Sequence, residues 1–163
     1  MQELTRELNQ VLRRLRQYRT EADWVYALLD GASQFASQAA VFTVKDAMLF
    51  LRVQVNLALP EGFSFPVSSA SAFGAALESK DPVIALRTPS EVSELLSAAA
   101  QERAHILPIS NGERAVAVLF AADAGPVDGN ALELIAGMAS IVLERRANLS
   151  LHAQIARHLG TSS

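Results

Sequence analysis

The chain has 163 residues, half of them hydrophobic and 19% charged, with a formal net charge of −3 and no cysteine. The length suits one domain carrying helical arms, and the missing cysteine excludes a disulfide framework, a thiolate zinc site, an iron–sulfur cluster, a cysteine nucleophile and a thioether-linked chromophore. The mildly acidic balance gives no general pull toward nucleic acid or an anionic membrane. No apolar run approaches the roughly 18 residues that span a bilayer, and the charged N-terminus lacks a signal peptide's apolar stretch. A cytoplasmic protein with no membrane partner is expected.

Leu4, Leu8, Val11, Leu15, Tyr18, Ala22, Val25 and Leu29 alternate spacings of four and three. Their 3.5-residue mean repeat is that of a coiled-coil seam, which predicts a helical arm that self-associates. Arg13, Arg14, Arg16 and Arg19 lie on the same arm. They read either as a nucleic-acid contact or as a solvated flank; Glu3, Glu7 and Glu21 nearby favour the flank, and nucleic acid is not the expected partner.

A strand pair follows, 38–44 and 47–56, turning at Lys45-Asp46. Alternation in the second strand puts Leu49, Leu51, Val53 and Val55 on one face, with Phe50, Arg52, Gln54 and Asn56 on the other. That second face suits a pocket wall or an exposed surface. Residues 57–70 are too rich in Pro and Ser for a central strand. A short helix over 71–79, with a preceding serine as cap, stops at Lys80-Asp81-Pro82 and gives way to a strand over 83–86. Thr88-Pro89-Ser90-Glu91 is a capping box with Pro at the first helical position, predicting a helix to about residue 101. Asn111-Gly112 joins strands 103–110 and 114–122 in a hairpin. The run Ala-Val-Ala-Val-Leu-Phe-Ala-Ala in the second of these is apolar on both faces and so belongs at the centre of a sheet covered on both sides. A long C-terminal helix, capped by Asp128 and stapled by Val127 on Leu132, keeps its three/four rhythm through Leu132, Ile135, Ala139, Val142, Leu149, Ala153 and Ala156.

The segment Phe73-Gly74-Ala75-Ala76-Leu77-Glu78-Ser79-Lys80-Asp81-Pro82-Val83 is followed by His105-Ile106-Leu107-Pro108-Ile109, Gly112, Val116-Ala117-Val118-Leu119 and Leu132-Glu133-Leu134-Ile135. This ordered series resembles the GAF domain, a small-molecule sensory and regulatory module related to PAS. The resemblance covers roughly Trp24 to Glu144. It implies an α+β fold, with an antiparallel sheet carrying the N- and C-terminal helices on one face and short helices and loops over the other. The division it implies is a coiled-coil arm over 1–23, a GAF-like domain over 24–144 and a helical extension over 145–163. It also implies a homodimer through the terminal helices, with Leu4, Leu8, Val11, Leu15, Tyr18, Val142 and Leu149 in the interface, relaying a signal to an output domain or partner protein.

The same resemblance brings Phe50, Arg52, Phe63, Phe65, Phe73, Arg87, His105 and Phe120 toward one ligand pocket, whose aromatic walls and few polar groups suit a small molecule. The alternative is that the phenylalanines fill that space themselves and leave a scaffold with no ligand. The Asn-Lys-x-Asp-Glu pattern of the cyclic-nucleotide-binding members is missing, so cyclic GMP is not implied. Bilin attachment and the thiol chemistry of the family's methionine-sulfoxide reductases both need cysteine. His152 and His158 are six apart on a helix, off the spacing of four that shares a face. No catalytic residue, metal or cofactor is therefore expected, and the chain is read as not being an enzyme.

Overall fold

The computed structural model describes residues 2–99, 101–112, 114–122 and 126–161, with side chains described over 5–99, 101–112, 114–122 and 128–145. Two helices, α1 (Gln2–Arg16) and α2 (Glu21–Ser33), precede a hairpin of β1 (Gln38–Lys45) and β2 (Met48–Val55). Asp46 and Ala47, both at positive φ, form its two-residue turn, whose mirror-type twist matches that of the flanking strands. A three-residue strand β3 (Ser64–Pro66), a single 3-10 turn and α3 (Ser71–Ser79) lead to β4 (Val83–Leu86). A one-turn helix α4 (Pro89–Val92) and a second 3-10 turn come next, then the hairpin of β5 (Arg103–Asn111) and β6 (Arg114–Ala122), and finally α5 (Pro126–Thr161).

All six strands form one antiparallel sheet in the order β3-β2-β1-β6-β5-β4. Strands β1 and β6 sit at its centre, and the alternation of their apolar side chains builds two cores. Ala39, Val41, Ala117, Leu119 and Ala121 join α1, α2 and α5 in a helix-side core. Ala40, Phe42, Val118, Phe120 and Ala122 join α3, β3 and the connecting loops in a loop-side core. The α+β architecture predicted from the sequence is the one observed.

One irregularity in β2 changes which residues face which core. Val41 pairs with Val53, whereas Phe42 pairs with Leu51, so Arg52 is the extra residue of a β-bulge. An extra residue inverts the alternation beyond it. Leu51 accordingly packs on the loop side, while Val53 and Val55 pack on the helix side. The four do not share the single apolar face expected of them.

The N-terminal arm also differs from expectation. It breaks at 17–20, where Thr20 Oγ1 accepts from the Asp23 N–H and caps α2. Leu8, Val11 and Leu15, read as a seam between chains, are buried at 9%, 2% and 0% exposure in the helix-side core of their own chain. Tyr18 packs at the margin of that core and Val142 lies within it. The side chains of Leu4, Val127, Leu149, His152 and His158 lie outside the described residues. The α3 cap is Ala70 and makes no side-chain hydrogen bond, in place of the serine expected there.

The helix predicted from Pro89 to about residue 101 ends after one turn. Ser93 adopts φ +81°, which a helix interior does not allow, and the buried Val92 and Leu96 are turned into the loop-side core.

Gly31 marks where α1 crosses α2. A Cβ placed on it would lie 2.7 Å from Val11 Cγ1, on a β-branched side chain that is 2% exposed and has little freedom to move. Gly31→Val should therefore cost about 1–3 kcal/mol by overpacking. The cost should shrink in a Val11→Ala background, and urea unfolding of the four members of this cycle measures the coupling.

Candidate functional site

On the loop side the sequence supplies five phenylalanines, four from separate elements and Phe63 from the loop before β3, and the fold packs their rings together. Phe42 of β1 meets Phe65 of β3 edge-to-face at 5.5 Å between centroids and Phe73 of α3 at 5.8 Å. Phe65 and Phe73 stand 5.1 Å apart, also edge-to-face. Phe63 lies tilted on Phe65 at 5.5 Å, and Phe120 of β6 stacks on Phe73 at 6.3 Å. These are the separations at which the ring quadrupoles attract. Phe42, Phe73 and Phe120 are fully buried and Phe65 is 4% exposed. Four of the rings were read from the sequence as pocket wall. Phe42 was not, although the run Ala39-Ala40-Val41-Phe42, apolar on both faces, marked β1 as central like β6.

Arg87 closes one end of this cluster. Its Nε and Nη2 both donate to the Leu96 carbonyl, at 3.0 and 2.9 Å, and its Nη1 donates to Gln38 Oε1 at 2.7 Å and to Glu102 Oε2 at 3.4 Å. The guanidinium carbon lies 5.5 Å from the Phe120 ring centroid, within cation–π range. At 5% exposure, this buried cation is held by one carboxylate, two oxygen dipoles and an aromatic face. It ties the start of β1 to the segment after α4, and its hydrogen bonds within the chain use four of its five N–H donors.

Phe50, Arg52 and His105 lie on the other face of the sheet. Phe50 pairs with Thr43, alternates with the inward Leu49 and Leu51, and is 38% exposed. The bulge residue Arg52 forms an ion pair with Glu21 of α2. His105 alternates with Ile106, which is on the loop side, and packs against the start of α5, where a Cβ on Gly129 would come within 2.8 Å of its Cε1. Of the eight residues expected to converge, the fold brings five together with Phe42 and places three behind the sheet. Gln54, by contrast, reaches the loop side after the bulge. It holds the 56–62 loop by accepting from the Leu59 N–H and donating to the Leu59 carbonyl, both at 2.8 Å. Among the described residues no three His, Asp or Glu side chains gather where they could hold a metal ion, and no helix is long and apolar enough to cross a membrane.

Burial lowers the His105 pKa below the usual 6.5, while the charge of Glu133 acts in the opposite direction. The unfolded chain therefore takes up this proton more readily than the folded one. The folded state keeps its full advantage above about pH 6.5 and loses it as the pH falls from there through the folded-state value. His105→Gln should flatten the part of the stability profile below pH 6.5 that belongs to this group. Urea unfolding from pH 8 to 5 checks it, and an unchanged slope would contradict the placement of His105 against α5.

No family model matches the chain, and no curated protein matches it. Solved structures do share its fold. The GAF domain of A. aeolicus nlh2, in an inactive state, superposes with a TM-score of 0.70 at 10% identity over 88% of this chain and 96% of its own. The GAF domain of a two-component sensor histidine kinase from Bacillus halodurans gives 0.61 at 16% identity, over 83% of this chain and 99% of its own. The free methionine-R-sulfoxide reductase of Neisseria meningitidis, solved in complex with its substrate, gives 0.63 at 18% identity, over 88% and 91%. This last likeness corrects the expectation that the chain is not an enzyme: the same fold serves a reductase, so the fold gives no ground for setting catalysis aside. With its six-stranded antiparallel sheet, its terminal helices on one face and its short helices and loops over the other, the chain has the fold of a GAF domain.

Proposed function

We propose that the chain is a regulatory module of the sensory kind, in which the sheet anchors α5 and α5 carries the signal outward as a homodimer. The observation that supports this is the double character of α5. Ala131, Leu132, Ile135, Ala136, Ala139 and Val142 are buried in the helix-side core, yet Leu134 and Ile141 on the same helix are 53% and 63% exposed. The exposed pair is seven residues apart, about 10.5 Å along the axis, which is one heptad of a helix–helix seam. The helix runs for 36 residues, about 54 Å, long enough to link an anchored module to an output domain or partner protein. In this reading the seam between copies runs along the outer stripe of α5, because the stripe of α1 is already used inside the chain. The likeness to a domain of a sensor histidine kinase agrees with a regulatory role.

The filled aromatic side favours input through protein contacts over a small molecule held among the rings. A small ligand is the second reading, and Phe63, the half-buried ring at the margin of the cluster, favours it.

Light scattering at tens of micromolar should give twice the chain mass. Leu134→Glu with Ile141→Glu should return it to the chain mass with the circular dichroism unchanged, since both side chains are exposed in the single chain. A wild-type protein that is strictly monomeric contradicts the reading. A thermal-shift screen of nucleotides, amino acids and metabolites separates the two inputs. A ligand at a hundred times its Kd adds about 2.7 kcal/mol, whereas a filled core gives no shift.

A further inference from the structure

We propose that the outer edge of β4 is a self-association surface that pairs antiparallel with β4 of a second copy, on a two-fold axis at Ala85. The sheet has two open ends, β3 and β4, and they are built differently. Strand β3 is three residues long and ends in Pro66, which offers no N–H; shortness and proline are the usual guards of an exposed edge. Strand β4, Val83-Ile84-Ala85-Leu86, has neither a proline nor a charge.

Its open backbone groups follow from the pairing with β5. The Arg87 N–H donates to the Glu102 carbonyl at 2.9 Å, and Leu86 pairs with Arg103. Hydrogen-bonded pairs alternate along an antiparallel ladder. Val83 and Ala85 therefore face β5, while the N–H and C=O groups of Ile84 and Leu86 face outward, where no described residue bonds to them. Their side chains lie together on one face of the strand, 63% and 41% exposed.

A second copy fits this edge because the edge is self-complementary. With the axis at Ala85, Ile84 faces Leu86 of the partner subunit, and the same pair repeats across the axis. Each pair exchanges two backbone hydrogen bonds and sets one apolar side chain against another. Charge does not oppose the pairing. Ile84, Ala85 and Leu86, the residues brought face to face, are neutral; Arg87 lies just beyond them with its guanidinium buried and bonded within its own chain, and the Arg103 backbones of the two copies stand three strand spacings apart, about 14 Å, beyond a Debye length of about 10 Å in 0.1 M salt. A pair of three residues from each copy, 84–86, buries far less than the roughly 1,200 Å² of a stable complex. The contact is accordingly weak and adds to the α5 seam instead of replacing it, so copies joined along α5 would be linked further at high concentration.

Sedimentation across a concentration range tests this in the Leu134→Glu/Ile141→Glu background, where the proposed α5 seam is broken. The expected result is a chain mass at low concentration that rises toward twice that value, with the rise lost on adding Ile84→Lys and Leu86→Lys. Replacing both residues by Thr, which keeps strand propensity, should weaken the rise less than Lys and guards against a loss caused by misfolding. A mass independent of concentration, or a rise unaffected by the lysines, overturns the proposal. Failure of the α5 reading shows separately, as a wild-type mass at low concentration that Leu134→Glu and Ile141→Glu leave unchanged.

Discussion

The pairing of β1 with β6 is the contact from which the other elements take their places, because both strands are apolar on both faces. Such a pair cannot sit at an edge or face water on either side. Placing it at the centre requires one cover for Val41, Leu119 and Ala121 and another for Phe42, Val118 and Phe120. Helices α2 and α5 supply the first, with α1 packed on them, and α3 and the loop segments supply the second. The two-sided burial also accounts for the high apolar fraction of a chain this short.

The loop-side cover is where a ligand chamber would lie, and here the chain places aromatic rings in contact with one another. Phe73 and Phe120 stack, Phe65 and Phe42 press their edges on neighbouring faces, and Arg87 seals one end by binding the Leu96 carbonyl. The helix-side cover works differently. It joins α5 to the sheet through Leu132, Ile135 and Ala139 while leaving Leu134 and Ile141 outside, so a single helix belongs to the core and also presents a surface.

Much of this architecture was legible in the sequence. The Asn111-Gly112 turn located the second hairpin, the two-faced apolar run of β6 placed it centrally, and the ordered segments from Phe73 to Ile135 carried the likeness to the GAF fold. The errors have physical causes. Alternation assigns residues to faces only while the register holds, and the bulge at Arg52 inverts it with no residue type to announce it. His105 has apolar neighbours on both faces of its strand, so periodicity could not say which core it joins. The heptad stripe of α1 was real, but a stripe does not reveal whether its partner is another chain or, as here, α2 and α5 of its own. The helix predicted from Thr88-Pro89 does start there, although Thr88 makes no side-chain cap bond and donates to the Glu91 carboxylate instead; tertiary contacts end it, since burying Val92 and Leu96 and satisfying Arg87 outweighs the propensity of the following residues. On the candidate site, residue types pointed to aromatic rings accompanied by Arg52, Arg87 and His105, while the division of these eight residues between two faces depended on register alone.

The central claim is that the loop side is a closed, load-sharing aromatic core. Equilibrium unfolding of Phe73→Ala measures this most directly, because Phe73 touches Phe42, Phe65 and Phe120 and is fully buried. A closed core predicts a loss of about 3–5 kcal/mol, the cost of truncating a packed phenylalanine. A loss below about 1 kcal/mol would mean that the ring borders a space that opens or relaxes freely, and would contradict the account.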